Sequence, residues 1–467
     1  MELRPFPKGF LLTQEREVKA PGWFEKTDLG GQWVIHHDPA VELAVKRGPH
    51  YSIFIVGVAY SQTLGVTTSH EAIDSLERIF AGSASLNTFV EFVTHLSGRY
   101  VVAVTGNESL MMAGDPLGSI ATWWGCKDKF SVSNYSKLLA DYFGDDRHNQ
   151  KSEFFAHPDY KSNQPWLSNI VPEHDIALPI LPNHVLTFDG GEIAHERFYP
   201  VAPLQQMSVE AATRIVYQEL RFAVECLGLR KELYFSITAG DDAFAFVDVS
   251  ADILRETNAV GVTYAFLNRE ANPTHDDLIV ANRRMISARL THKIVPMEFD
   301  WGSEFAGVYN ETHPTMAVFP TLAKSIHDGT TGDNYFLTGH GGEIGNVFYK
   351  ERVSGFPSPT DLGEKNGTRQ FAESELGAAS IAEFIEYTQF YEDRFFGYDP
   401  YDLFYWENRM GRWGARMIGE WDFGARPVSL FASRKLLDSM MAVPYADRVS
   451  RSIYKEMHST FGQVNPR

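Results

Sequence analysis

The run 234–244 reads Tyr234-Phe235-Ser236-Ile237-Thr238-Ala239-Gly240-Asp241-Asp242-Ala243-Phe244. An apolar strand that empties into small residues and then a helical pattern (Phe244, Phe246, Val247, Ile253, Leu254) presents backbone N–H groups to an anion. The chemistry this suits is phosphate binding. The turn has neither the lysine of a Walker-type loop nor the three glycines of a dinucleotide fingerprint, so those two sites are not expected. Further along, Tyr335-Phe336-Leu337-Thr338-Gly339-His340-Gly341-Gly342-Glu343 repeats the order of strand, small residues and acid. Two such strand ends in one α/β sheet supply amides for phosphate oxygens and carboxylates for a hard cation, as a magnesium-bound triphosphate requires.

The first turn resembles the pyrophosphate loop of ATP pyrophosphatases, Ser-Gly-Gly-x-Asp-Ser, in enzymes that cleave ATP to AMP and pyrophosphate. The second falls in register with the Ser-Gly-x-Gly-x-Asp of the asparagine synthetase family, through Thr338, Gly339, His340, Gly341, Gly342 and Glu343. Its histidine before two glycines looks closest to lasso-peptide macrolactam synthetases. The resemblance implies ATP and Mg2+ as cofactors, with phosphates over Ser236, Thr238, Ala239, Gly240, Asp242 and Ala243 and the metal on Asp242 and Glu343. Thr338, Gly339 and Gly341 would complete the cradle, and Val262-Thr263-Tyr264-Ala265-Phe266-Leu267 would be the strand that takes adenine, ending at Leu267. Beyond it, Asp276 and Asp277 read as helix caps. Ala239 and Ala243 depart from the loop pattern, and Glu343 carries its carboxylate one methylene further than Asp would.

In the amino-terminal half, His95-Leu96-Ser97-Gly98-Arg99-Tyr100, Asp115-Pro116-Leu117-Gly118 and Phe130-Ser131-Val132-Ser133 resemble the glutaminase domain of asparagine synthetase. That domain uses a cysteine thiolate exposed after removal of the initiator Met, and here the second residue is Glu2. A carboxylate cannot do that acyl-transfer chemistry at neutral pH. Cys126 and Cys226 both read as small buried residues, so the amine is expected from a source other than glutamine, as in β-lactam synthetase and the lasso cyclases.

Near the end, Arg451 and Lys455 stand where the family's Lys-x-x-Leu-Arg helix has its cations, and would offset charge on pyrophosphate and on the tetrahedral intermediate. Solvated basic residues on a terminal helix are the plainer alternative. Glu420 is the acid expected to ready the amine, with Glu407 and Asp422 in competition, while ion pairs of Glu407 with neighbouring arginines would be purely structural. His340 takes the place of a proton-transfer tyrosine and titrates close enough to neutrality to accept an ammonium proton.

The elements that must position these residues follow from punctuation. Strand-like runs up to about residue 200, with a hairpin turn at Gly190-Gly191, give way at Phe198-Tyr199-Pro200 and Pro203 to a helix capped by Ser208. The resemblance implies an α/β and α+β fold, with a catalytically inactive glutaminase-like αββα sandwich over 1–203. A parallel-sheet ATP-binding synthetase unit with a helical end would occupy 204–467. The Pro- and Gly-rich stretch 354–374 reads either as a lid or as an ordinary surface loop.

Composition sets the outer bounds. A chain of 467 residues with 44% hydrophobic content has material for two cores, and a formal charge of −18 speaks against nucleic acid or anionic membrane as partners. No apolar run approaches the roughly 20 residues of a membrane helix, and two distant cysteines suit a reducing cytoplasm. The expected activity is ATP-dependent, AMP-forming amide-bond formation between a carboxylate and an amine, on a peptide or small molecule, in specialised metabolism such as lasso-peptide macrolactam or β-lactam-type ring closure. A precursor peptide or leader peptidase would then be a partner. Ammonia-dependent amidation of a small or sugar carboxylate, or a non-catalytic scaffold, are the alternatives, and the oligomeric state stays open.

Overall fold

The computed structural model describes residues 2–145, 157–158, 174, 176–266, 275–314 and 319–462. Among these, one six-stranded antiparallel sheet has the order β10-β8-β9-β1-β3-β2, built from β1 (Phe10–Thr13), β2 (Glu25–Gly30), β3 (Trp33–His37), β8 (Thr122–Cys126), β9 (Phe130–Ser133) and β10 (Leu178–Ile180). A second has the order β12-β11-β7-β6-β5-β4, from β4 (Leu43–Arg47), β5 (Ser52–Tyr60), β6 (Ser97–Thr105), β7 (Ser109–Gly114), β11 (His184–Asp189) and β12 (Glu192–Arg197).

Alternation of side chains across each sheet sends Phe10, Leu12 and Ile35 from one and Phe54, Val101 and Met112 from the other into a shared core. The outer face of the second sheet is covered by α1 (Ser69–Phe80) and α2 (Leu86–Thr94), and that of the first by α3 (Ser136–Phe143). This is the expected αββα sandwich. The β11–β12 turn is the expected hairpin, since Gly190 and Gly191 both have positive φ, which L side chains rarely adopt.

The expected change of unit at residue 203 falls in the connection between β12 and α4 (Val209–Gly228). Beyond it lies a five-stranded parallel sheet of order β15-β14-β13-β16-β17. Its strands are β13 (Leu233–Ser236), β14 (Val260–Ala265), β15 (Thr291–Pro296), β16 (Tyr335–Thr338) and β17 (Arg426–Ser429), with α5 (Asp241–Glu256) following β13 and α6 (His275–Ala288) following β14. The helices α7 (Ser303–Thr312) and α8 (Pro320–Gly329) lead to β16. From β13 the chain winds outward to β14 and β15, then returns to β13's other side for β16, so the topological switch point lies between β13 and β16. Ligands of open α/β sheets sit outside the carboxyl ends of strands at such a point.

The stretch 354–374 is not a bare loop. It holds α9 (Pro359–Gly363), started by a Ser358–Asp361 capping box, and α10 (Arg369–Glu373), and buries Leu362 and Phe371. There follow α11 (Glu375–Tyr387), α12 (Pro400–Phe404), a π-helical stretch Tyr405–Gly414, α13 (Ala415–Glu420), α14 (Arg434–Met441), α15 (Tyr445–Val449) and α16 (Ser452–Phe461). The first part and the parallel-sheet part share one core, in which Leu117 and Leu181 pack among residues such as Phe431 and Trp406. Among the described residues, no helix is long and apolar enough to cross a membrane.

Candidate functional site

Parallel pairing of Leu233, Tyr234 and Phe235 with Tyr335, Phe336 and Leu337 sets the two strand ends side by side, so both glycine turns open into the same crevice. The chain sends one carboxylate between them. A Cβ added to Gly339 would stand 2.1 Å from Asp242 Oδ2, one on Gly240 2.5 Å from Oδ1, and one on Gly342 2.9 Å from the Asp242 Cβ. The glycines are therefore required by Asp242 itself. Gly339→Ala is expected to displace it and to cost about 1–3 kcal/mol of stability by overpacking, measured as a lowered urea midpoint.

Asp242 is pushed up to about 7, first by burial and then by the charge of Glu343, with the N–H groups of Asp242 and Ala243 pulling the other way. A buried acid beside a second carboxylate makes this a cation-attracting pocket. Glu343 is held in place through Oε2, which accepts from the Tyr405 hydroxyl (2.6 Å) and the Gly341 N–H (3.0 Å). Tyr454 reaches the same turn from α16 and donates to the Gly342 carbonyl. Burial raises both tyrosines well above their usual range, so both remain hydrogen-bond donors at neutral pH.

The amides of the first turn are not open, contrary to the sequence expectation. The Ala239 N–H donates to Asp277 Oδ1 (3.1 Å) and the Gly240 N–H to Thr238 Oγ1 (3.2 Å). A helix start must satisfy its amides, and acidic and hydroxyl side chains do so here. Asp277 thus reaches across elements, from α6 to the turn before α5. Ser236 and Ala243 are buried on β13 and in the first turn of α5. Thr338 is fully buried, and its Oγ1 lies 3.0 Å from His340 Nδ1. Leu267, Thr274 and the side chain of Asp276 lie outside the described residues.

His340 departs from the near-neutral titration expected of it. Burial lowers its pKa, Glu343 works against the shift, and Arg409 adds to it, so the ring is neutral at pH 7 and a weaker proton acceptor than a solvated histidine. It packs edge-on against Trp421 at 5.6 Å. Arg451, at the start of α16 with φ +63°, joins the site directly: its Nη1 is 2.9 Å from Asp241 Oδ2 in the first turn of α5. Lys455, one turn further along α16, faces a cavity that also touches Asp241.

The three carboxy-terminal acids have other partners. Glu407 receives both arms of Arg197 (2.6 and 2.5 Å) and the Asn183 amide (3.0 Å), and Asp422 receives both arms of Arg99 (2.7 and 2.6 Å). These acids tie the sandwich to the parallel-sheet part, and Glu407's arginine lies far back in the sequence, not among its helical neighbours. Glu420 is fully buried with Oε2 on the Phe319 N–H (2.8 Å), which fixes the start of α8. Asp115 of the Asp-Pro-Leu-Gly turn is also fully buried and gathers the N–H groups of Leu117 (2.9 Å) and Ser119 (3.1 Å). The turn so formed puts Leu117 against Gly341, 3.1 Å from where a Cβ would stand. The sandwich therefore backs the second glycine turn.

Tyr405 and Tyr454 escaped the sequence reading, although both lie in segments it singled out. Of the cysteines, Cys226 is buried and its thiol is pushed up to about 12 by burial, whereas Cys126 is exposed, which corrects the expectation that both are buried. Partial burial and Asp128 raise Cys126 as well, so neither is an activated thiolate.

No protein-family model and no curated protein matches the chain. Among solved structures it is similar to glutamine phosphoribosylpyrophosphate amidotransferase from B. subtilis complexed with ADP and GMP, at 10% identity and a TM-score of 0.25, over 64% of this chain and 62% of that one. It is also similar to the allosteric regulatory enzyme of purine biosynthesis, at 10% identity and a TM-score of 0.27, over 68% of this chain and 86% of that one.

Proposed function

We propose that the chain is an ATP-dependent, AMP-forming carbon–nitrogen ligase of the asparagine synthetase type that adenylates a carboxylate and joins it to an amine without using glutamine. The observation that carries this reading is the lodging of Asp242 between the two glycine turns, near Glu343, with Arg451 of α16 paired to the adjoining Asp241. The raised Asp242 supports the absence of glutamine chemistry in no way; that part rests on two cysteines whose thiols are both held protonated.

Asp242 and Glu343 would fit Mg2+, because a divalent cation would offset the charge of two neighbouring carboxylates, which are the hard oxygen ligands it takes. Among the described residues no group of three or more metal-ligating side chains occurs, so such a cation would be held jointly with the phosphates and would neutralise their charge. The substrate carboxylate oxygen attacks the α-phosphorus, the bond to the bridging oxygen breaks, and pyrophosphate leaves. The start of α5 and the cations Arg451 and Lys455 offset the charge that develops. The amine then attacks the acyl carbon, AMP departs with the carboxyl-derived oxygen, and neutral His340 takes the amine's proton. Arg451 clamps and does not titrate.

A non-catalytic scaffold is the second reading, favoured by the occupation of the Ala239 and Gly240 amides by the chain's own side chains. One substitution separates the two. In a ligase, Asp277 competes with a phosphate for the Ala239 N–H, so Asp277→Ala is expected to tighten binding of α,β-methylene ATP about fivefold, the worth of roughly one hydrogen bond. Calorimetric titration with Mg2+ present reads this directly, and an absence of binding in both wild type and variant removes the ligase reading.

A further inference from the structure

A cavity of about 670 Å3 runs beside the loop, between α5, α6 and α16. All three helices run from the loop end outward: Asp241 and Asp248 mark the two ends on α5, Val280 and Ser287 on α6, and Tyr454 and His458 on α16. Seven residues of helix give it a length of about 10 Å. Its walls are largely apolar, from Phe244, Ala245, Val280 and the Tyr454 ring.

The polar lining is cationic in excess. Arg283, Arg284 and Lys455 face Asp241 and Asp248, and Arg451 already engages Asp241 from outside. The outer end is closed by paired side chains: Asp248, 1% exposed, pairs with Arg284 and accepts from His458 Nδ1 (2.8 Å), while the Arg284 guanidinium lies 5.3 Å over the Phe244 ring. His458 is lowered by burial and by Arg284, so at neutral pH it adds no charge of its own. Among the described residues, Asp248 is taken up by Arg284 and Asp241 by Arg451, which leaves the charges of Arg283 and Lys455 on the exposed rim to attract an anion, although the whole chain carries −18.

We propose that this cavity holds the apolar body of the carboxylic acid substrate, with its carboxylate at the loop end under Lys455. The proposal rests on the ligase reading for the fate of that carboxylate, and the cavity's own chemistry selects an apolar monoanion over a neutral or cationic ligand. The volume of about 670 Å3 admits an acyl body larger than one side chain, up to the size of a drug-like molecule, with an aryl or branched acyl chain filling part of it.

The test uses the full chain and three probes that differ only at the head: 3-phenylpropionate, 3-phenylpropanamide and 3-phenylpropylammonium, titrated by ligand-observed saturation-transfer NMR. The acid is expected to bind about tenfold more tightly than the amide, the margin of a charge-assisted contact, and the ammonium compound not to bind. Ser287→Trp, at the outer end of the cavity on α6, is expected to obstruct it and weaken the acid at least about tenfold while α,β-methylene ATP binds as before. Arg283→Ala should weaken the acid and leave the amide unchanged. Equal binding of acid and amide, no binding of the acid at millimolar concentration, or an acid affinity indifferent to Ser287→Trp would each overturn the proposal. Loss of ATP-analogue binding in Ser287→Trp would also overturn it, by making the cavity part of the nucleotide site. If wild type binds the acid but no ATP analogue, the cavity stands and the ligase reading falls.

Discussion

Asp242→Asn is expected to lower the affinity for α,β-methylene ATP with Mg2+ on the order of 100-fold, while leaving the protein as stable as wild type or more so. The two effects have opposite signs because the residue serves two purposes. In the protein alone, the Asp242 carboxylate is disfavoured by burial and by Glu343, which is why it is pushed up to about 7. Asparagine has the same shape, so it fits beneath Gly240, Gly339 and Gly342 without a clash, and it removes one of two repelling charges. In the nucleotide complex the same charge is what a magnesium ion needs. Calorimetry and thermal unfolding on one preparation measure both, and a variant that binds the analogue as well as wild type would remove Asp242 from the site. A structural acid behaves differently, since its loss lowers stability first and binding only as a consequence.

How far the chain could be read without a structure depended on the range over which each residue acts. The turns after β13 and β16 were legible because strand, small residues and acid lie within ten residues of each other, and parallel pairing then brings them together. The αββα layers were expected because short local runs such as Ser97-Gly98-Arg99 and Asp115-Pro116-Leu117-Gly118 resemble a glutaminase domain. What the carboxy-terminal acids do was not legible. The stretch Tyr405–Gly414 is π-helical, so residues there do not recur on one face at the 3.6-residue period that a sequence reading assumes. Tyr405 meets Glu343 while Glu407, two residues on and so on the opposite side of the helix, turns to Arg197. Asp277 was read as a local cap for a similar reason, because its real partner, the Ala239 N–H, belongs to the preceding crossover unit. Contacts of this kind leave no local pattern.

The partner of Glu407 leads to the second large effect. Arg197→Met is expected to destabilise the protein by about 3–5 kcal/mol, the usual cost of stranding a buried carboxylate. The pair is 2% and 0% exposed, so water cannot replace the lost guanidinium, and Arg197 also donates to the carbonyls of Thr388 (3.0 Å) and Tyr199 (3.1 Å). The double variant Arg197→Met/Glu407→Met should recover much of the loss, since it removes the stranded charge and fills the space with apolar atoms. Urea unfolding of wild type, both single variants and the double variant closes the cycle. The seam between sandwich and parallel sheet is expected to fail first, because this pair and Arg99–Asp422 both cross it. That failure would withdraw Leu117 from Gly341 and loosen the turn that carries Glu343, so ATP-analogue binding should fall in Arg197→Met at urea concentrations where secondary structure is still intact. If binding and secondary structure are instead lost together, the sandwich has no separate part in supporting the second glycine turn.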